Sequence, residues 1–491
     1  MKRRDFLRLG GLAAIGTSPA ARFAAQMPGM AAASSPAPQD ATKADFTLQI
    51  APVALELSPN LVISTTGYNG SSPGPLLRMK EGTPVTVDVV NDTDVPEYVH
   101  WHGLLVPSEV DGAEEEGTPV VPPHGRRRYQ FTPRPAGTRW YHTHAMAGLD
   151  LHRGTYTGQY GFLVVEAAQN PGNYDQEVFL ALRDWEPFFS SVGENEAAEQ
   201  DMGPGVRVLT PERPAVLDTR PNGLEVMSQL YSINDKSLGS GEPIRVRPNS
   251  RVLMHILNAS AIENRRISLP GHQFNVLALD GNPVPTPGPA ETLVLGPGER
   301  VDAFVEMNQP GVWILGETDD MVRNAGLGTV IEYAGQTRQP RWVAPMNRTW
   351  DYTAFGRAAG SAAATSQPPD QTIDMVFEKV PRGDGRFNTF LVNGKQYPHE
   401  REFALKQGAR HRIVFHNRTD DSHPLHMHRH LFELIDINGK PTSGVIKDTV
   451  IVPYFGRATV DLIADQPGLT LFHCHIQQHM DFGFKALFYY S

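Results

Sequence analysis

Apolar and polar residues alternate along this chain in short runs bounded by turn residues, and the runs recur three times in the same order. The first kind is a turn, an alternating segment and a closing Asn: Glu81-Gly82 to Asn91, Arg247-Pro248 to Asn258, and Gln407-Gly408 to Asn417. The second is a Pro or Gly turn before a further segment, from Pro122 to Phe131, Gly296 to Val305, and Pro453 to Leu462. The third is Pro135-Ala136-Gly137-Thr138-Arg139-Trp140, Gln309-Pro310-Gly311-Val312-Trp313, and Gln466-Pro467-Gly468-Leu469-Thr470. The fourth is a tight turn at Asn69-Gly70, Asn234-Asp235 and Asn393-Gly394. Side chains on an extended strand point alternately to opposite faces, so these runs predict half-buried strands. Three repeats of roughly 120 to 160 residues, built from short strands and turns, predict an all-β chain of β-sandwich domains. The domains are placed at 44–168, 169–337 and 371–491. Residues 338–370, with Ala358-Ala359-Gly360-Ser361 and Gln367-Pro368-Pro369, read as a linker or long loop.

Composition agrees with that picture. The 491 residues suffice for three domains with full cores, and 45 Gly with 41 Pro supply the turns. The N-terminus is set apart: Lys2, Arg3 and Arg4, then Asp5-Phe6-Leu7-Arg8, precede a mild Ala/Gly-rich run too short for a membrane span. This resembles a twin-arginine export signal. Residues 1–33 are read as that signal and 34–43 as a tether, which predicts a periplasmic or secreted protein that meets the export machinery. Losing 1–33 would remove five basic residues and one acidic one, taking the formal net charge from −10 to about −14. Such an acidic protein is a poor nucleic-acid binder.

The histidines break the threefold pattern. The first domain carries His100-Trp101-His102-Gly103 and His142-Thr143-His144. The third carries His423-Pro424-Leu425-His426-Met427-His428 and His473-Cys474-His475-Ile476-Gln477-Gln478-His479. Where the second domain should match His142-Thr143-His144, it has Leu315-Gly316-Glu317, so it reads as a spacer. With 18 His in the chain, about 0.7 His-x-His pairs would arise by chance, yet five occur. On a strand both histidines of such a pair face one way and can grip one metal or two adjacent ones. In His473-Cys474-His475 the thiol faces the other way, one residue from the histidine cluster.

Cys474 is the only cysteine, so no intrachain disulfide can form. One thiolate with two imidazoles, here Cys474 with His423 and His479, suits an electron-transfer copper site, while all-imidazole sites suit copper or zinc. A zinc reading wants cysteine pairs or three protein ligands and a water, and no such set is present.

With these four motifs the chain resembles the three-domain multicopper oxidases, which include laccases, ascorbate oxidase and bacterial cuprous oxidases. The resemblance covers the chain beyond its signal. It implies three cupredoxin-like Greek-key domains and four copper ions, with a three-copper cluster between domains one and three. By motif position it implies His423, Cys474 and His479 for the type 1 copper and His100 and His426 for the type 2 copper. The type 3 pair would be held by His102, His142 and His475 on one ion and His144, His428 and His473 on the other. Asp111 matches the family position for an acid beside the type 2 copper. Many bacterial members have an acid directly after the last histidine; Met480 stands there, leaving Asp420, Asp421 and Asp481 as possible substitutes. Where some members place an axial methionine, this chain has Phe484, which cannot ligate and predicts a strongly oxidising type 1 site, the competing reading being Met480, next to His479, as a weak ligand. His124, His152, His255, His272, His399, His411, His416 and His430 fall outside the motifs and read as hydrogen-bonded or exposed, with His430 left unassigned.

The implied activity is four-electron reduction of dioxygen to water, fed by one-electron oxidation of a small donor. Phenols or aromatic amines are expected, because Met27 and Met30 lie within residues 1–33 and no methionine cluster is evident elsewhere. The alternative donor is cuprous ion, oxidised for copper tolerance. A copper-free structural protein and a copper carrier are the remaining readings, and the complete ligand set argues against both.

Overall fold

The computed structural model describes residues 43–167, 172–190, 223–346, 349–357, 368–382, 387–398 and 403–491. The expected signal, nearly all of the tether, Met27, Met30, His399 and much of 358–370 lie outside the described residues. Among the described residues no helix is long and apolar enough to cross a membrane.

Among the described residues, six sheets form three pairs. The first pair joins strands Leu61–Tyr68, Phe46–Ser58, Val85–Asn91 and Gly125–Phe131 in one sheet, and Leu77–Lys80, Tyr160–Glu166, Gly137–Thr143 and Val99–His100 in the other. The second pair lies between Gln176 and Tyr333 and the third between Gln371 and Tyr490, each with a six-stranded and a five-stranded sheet. One parallel pairing recurs at the same place in each: Phe46–Ile50 beside Val87–Asn91, Gln176–Leu182 beside Val252–Asn258, and Gln371–Phe377 beside His411–Asn417. These are three cupredoxin-like Greek-key sandwiches.

The repeated asparagines are what the repeat is made of. Asn69, Asn234 and Asn393 adopt φ of +54°, +51° and +51°, and each is followed by a second positive-φ residue, which makes the hairpin turn that matches strand twist. Each also bridges back to the neighbouring strand, donating to the carbonyl of Thr47, Phe179 or Asp374 and accepting from the amide of Gln49, Ala181 or Val376. The buried Asn91, Asn258 and Asn417 close the central strand of each sandwich. Their Nδ2 groups donate to loop carbonyls, among them Val121, Leu295 and Pro453, and their Oδ1 atoms accept from Thr93, Ser260 or Thr419.

Burial follows the alternation where one face is wet: Val85, Val87, Val89 and Asn91 point inward while their neighbours are half-buried. Strand Arg251–Asn258 instead buries every residue from Val252 onward, because its second face docks on the first sandwich. There His255 meets Thr138 Oγ1 at 2.8 Å. The first sandwich has its own core around Leu48, Val87, Trp101 and Tyr129, whereas the second and third share one continuous apolar cluster. Within the expected linker, the single turn Tyr352–Phe355 is packed down, with Tyr352 donating to Glu299 Oε1 at 2.6 Å.

Candidate metal centre

The motif histidines stand at the ends of paired strands. His100 ends Val99–His100 and lies opposite His142, while His426 lies opposite His473 and Leu425 opposite Cys474. The second histidine of each pair, His102, His144, His428 or His475, falls just beyond its strand. Strand alternation therefore carries the geometry only to the strand end, and the following turn aims the second ring.

All ten histidines and Cys474 are buried, none more than 6% exposed. Their ligand-type atoms fall into groups within 4.8 Å: His100, His102 and His426; His102, His142 and His475; His144, His428 and His473; and His423, Cys474 and His479. Every residue singled out as a metal ligand belongs to one of these groups. Cys474 joins a different group from its two flanking histidines, so the sites stand back to back across one tripeptide.

The ring nitrogens divide into held and unheld. The Nδ1 atoms of His100, His142, His426 and His473 reach the carbonyls of Asp111, Thr143, Asp448 and Cys474 at 2.7 to 2.9 Å. The other nitrogens face each other: His100 and His426 Nε2 atoms are 3.4 Å apart, His144 and His473 3.4 Å, and His428 and His473 3.0 Å. His102 Nδ1, His142 Nε2 and both nitrogens of His475 are buried without a hydrogen-bond partner. Buried polar atoms rarely stay unpaired, and a cation between them answers that need. Burial also holds His102, His142, His144, His426, His428, His475 and His479 well below the usual imidazole range, and His423 and His473 to about 3. Neutral imidazole is the form that binds metal. The three-histidine groups alone would also suit zinc, contrary to the expectation that no such set is present, and it is the thiolate with two imidazoles beside them that fits copper.

At the single-cysteine site, Cys474 Sγ lies 3.7 Å from His423 Nδ1 and 3.5 Å from His479 Nδ1, and those two nitrogens are 3.2 Å apart. Thr419 Oγ1 meets His423 Nε2 at 2.6 Å and so fixes which nitrogen faces the sulfur. Phe484 is fully buried, its ring 4.7 Å from that of His423, and Phe390 sits 4.1 Å from His479.

Asp111 Oδ2 reaches His428 Nδ1 at 2.7 Å and His100 Nδ1 at 3.0 Å. Behind it Glu116 Oε1 lies 3.7 Å from His428 Nδ1, and burial with the Asp111 charge pushes Glu116 well above the usual carboxylate range. The acidic run Glu114-Glu115-Glu116 just after Asp111 was the available signal for it. Asp481 is held by the amides of Ala147 and Gly148 and by Gln477, and Asp420 and Asp421 pair with Lys379. Two further residues carried no sequence signal. Asp448 Oδ1 lies 3.0 Å from His102 Nε2, and Glu225 Oε2 lies 4.0 Å from His479 Nε2. Burial, with Asp421 adding to it, raises Glu225 to about 8. His430 is no part of the cluster; its ring meets the His428 carbonyl and Tyr490 Oη.

Profiles described as multicopper oxidase match residues 53–170, 210–333 and 366–491. The chain belongs to the multicopper oxidase family. It is 30% identical to multicopper oxidase MmcO of Mycobacterium tuberculosis, over 98% of this chain and 95% of that protein. It is 24% identical to copper resistance protein A of Pseudomonas syringae pv. tomato, over 98% of each. The crystal structure of a multi-copper oxidase from Pseudomonas thermotolerans superposes with a TM-score of 0.66 at 25% identity, covering 91% of this chain and all of that one. This multicopper oxidase is thus a copper oxidoreductase with dioxygen as acceptor, binding one type 1, one type 2 and two type 3 ions.

Proposed function

We propose that this multicopper oxidase is laccase-like, oxidising phenols and aromatic amines at a type 1 copper held by His423, Cys474 and His479. In this reading His100 and His426 hold the type 2 copper. His102, His142 and His475 hold one type 3 copper, and His144, His428 and His473 the other, between domains spanning 44–168 and 371–491. Residues 1–33 act as a twin-arginine-type signal that takes the protein to the periplasm or outside the cell.

The observation that carries the donor class is the surround of His479. Its Nε2 edge faces the Glu225 carboxylate at 4.0 Å, and Asn388 donates to the other Glu225 oxygen at 2.5 Å. Beside it Phe387 stacks on Phe482 at 4.5 Å and meets Phe189 at 5.1 Å, making an aromatic, half-buried wall. An aromatic ring packs on such a wall while its hydroxyl or amino group donates to the acid. The exposed methionines among the described residues, Met146, Met321 and Met346, are scattered along the chain.

Bound copper supplies the redox chemistry, taking one electron from each of four donors and delivering four to dioxygen to give water. The residues do the rest. Glu225, raised to about 8 and therefore protonated at neutral pH, holds the donor's hydroxyl by a hydrogen bond, and the proton released as the electron leaves passes to water. Cys474 links the sites covalently, and His473 Nδ1 closes a 2.8 Å contact to the Cys474 carbonyl that shortens the path. Asp111 orients His100 and His428 and, with Glu116 kept protonated behind it, holds protons beside the cluster.

Copper resistance protein A, matched along its whole length, supports cuprous ion as the second reading. Oxygen uptake by the copper-loaded protein with a methoxyphenol and with cuprous ion, under the same conditions, separates the two. The phenol should give the higher kcat/KM, and Glu225→Gln should raise KM for the phenol; faster turnover of cuprous ion would overturn the phenol reading.

A further inference from the structure

The second sandwich supplies no histidine to the cluster, yet it reaches two of the rings. Five cluster histidines engage an acceptor through Nδ1 and turn Nε2 inward: His100, His142, His426, His428 and His473. His102 is reversed. Its Nε2 meets Asp448 Oδ1 at 3.0 Å and Thr449 Oγ1 at 3.2 Å, and its buried Nδ1 has no partner. The ring lies flat on His426, 3.7 Å away and 13° from parallel.

Arg300 is the two-armed clamp on Asp448, to which Thr449 Oγ1 also donates at 2.9 Å and near which Arg139 Nη1 lies at 3.8 Å. The Asp448 side chain has no exposed surface, and a carboxylate so placed is stable only when paired and hydrogen-bonded. Arg300 grips it with both arms, Nη1 to Oδ1 at 2.8 Å and Nη2 to Oδ2 at 2.6 Å. The guanidinium is itself anchored by the carbonyls of Gly298 at 2.9 Å, Asp280 at 3.1 Å and Thr138 at 3.4 Å. Asp280 completes the frame, its Oδ2 facing the amides of Asp448 at 3.3 Å and Thr449 at 3.2 Å and Lys447 Nζ at 2.9 Å. Residues of all three sandwiches thus meet on one guanidinium.

The backbone is shaped to allow this approach. A Cβ on Gly298, at φ +89°, would fall 2.8 Å from His475 Cδ2 and 3.1 Å from His102 Cε1. A Cβ on Gly103, at φ +84°, would fall 2.7 Å from both Arg300 Nη2 and Asp448 Oδ2.

We infer that Arg300 is a positioning residue for the three-copper cluster: by clamping Asp448 it determines that His102 presents Nδ1 to its copper. The inference rests on the reading of His102 as a type 3 ligand. A lysine keeps the charge but cannot satisfy both carboxylate oxygens and the carbonyls around them, so fork geometry is what matters.

The test is Arg300→Lys in the full-length, copper-loaded protein. The type 1 blue band and its electron paramagnetic resonance signal should persist, because Arg300 touches none of His423, Cys474 and His479. The near-ultraviolet band of the coupled type 3 pair should fall, at least one copper per chain should be lost, and oxygen consumption should drop about 10- to 100-fold. Asp302→Asn weakens another of the contacts between the first and second sandwiches, at Thr138 and His255, and should lower Tm while leaving the type 3 band intact. An unchanged type 3 band and copper content in Arg300→Lys, or equal loss of that band in Asp302→Asn, would overturn the inference. Should Arg300→Lys not fold, Asp448→Asn carries the same expectation and the same refutation. His102→Ala separates the premise: a surviving type 3 band there overturns the ligand reading itself, whereas its loss beside an intact Arg300→Lys overturns only the role of Arg300.

Discussion

The second and third sandwiches share a frame and differ in what is mounted on it. Asn258 and Asn417 close equivalent central strands, and Asn234 and Asn393 make equivalent hairpins. In the third sandwich, strand Thr470–Cys474 sets His473 opposite His426 on the neighbouring strand His423–Met427. In the second, strand Val312–Glu317 sets Glu317 opposite Ile267, and the fully buried Leu315 fills core. Glu317 serves the backbone there, accepting from the amides of Arg266 at 2.8 Å and Thr318 at 2.7 Å. Strand ends are where a sandwich can carry chemistry, because the frame is held by asparagines and by the core between them.

Acid should break that likeness most sharply. His102, His142, His144, His423, His426, His428, His473, His475 and His479 are kept neutral by burial. Such groups contribute full stability above about pH 6.5 and lose it as pH falls, because the unfolded chain takes up protons first, at about 1.4 kcal/mol per pH unit for each. Copper-free protein should therefore lose stability more steeply than the copper-loaded form as pH falls below about 6.5, as a calorimetric series from pH 8 to 5 would show; matching curves would contradict the metal assignment. His255 of the second sandwich has the opposite sign. Burial opposes its charge, but Asp302 and Glu177 prevail and raise it to about 9, so its contribution is complete below about pH 6.5 and lost as pH rises through 9. That is worth about 3 kcal/mol, and His255→Gln should flatten the fall in Tm between pH 7 and 10.

Next in size are the matched asparagines. Asn258→Ala and Asn417→Ala should each cost about 2 to 4 kcal/mol in chemical denaturation, since each leaves several buried groups unpaired. Only Asn417→Ala should also disturb the blue band, because Asn417 Oδ1 holds Thr419, which meets His423 Nε2. Equal spectra for the two variants would show that the frame does not orient the copper site. The smallest effect is expected at Phe484. Phe484→Met offers a sulfur beside His423 and should lower the type 1 potential, by on the order of 60 mV for a tenfold change in the one-electron equilibrium. A redox titration that shows no change would remove Phe484 from the axial position.

Most of the frame was legible because it repeats. Asn91, Asn258 and Asn417 stand at matching places in the sequence, and the same contacts follow from each. The histidine set was legible because its members come in pairs two apart, a spacing that a strand converts into direction. Asp448 and Glu225 were not, since each is a lone acid brought to its histidine by chain folding: 346 residues separate His102 from Asp448. The spacer reading of the second domain concerns its histidines alone. Absence of histidine at Leu315-Gly316-Glu317 says nothing about Arg300 or Gly298, whose role arises only where three sandwiches meet.

Cys474 has one more consequence. It is the only thiol in the chain and has no exposed surface, and burial pushes it well above the usual thiol range. An enclosed thiol reacts with an alkylating reagent only when the structure around it opens. The copper-free protein therefore carries a clock in its native sequence: at reagent concentrations where alkylation outpaces reclosing, its rate of labelling is the rate at which the structure around Cys474 opens, read at one atom.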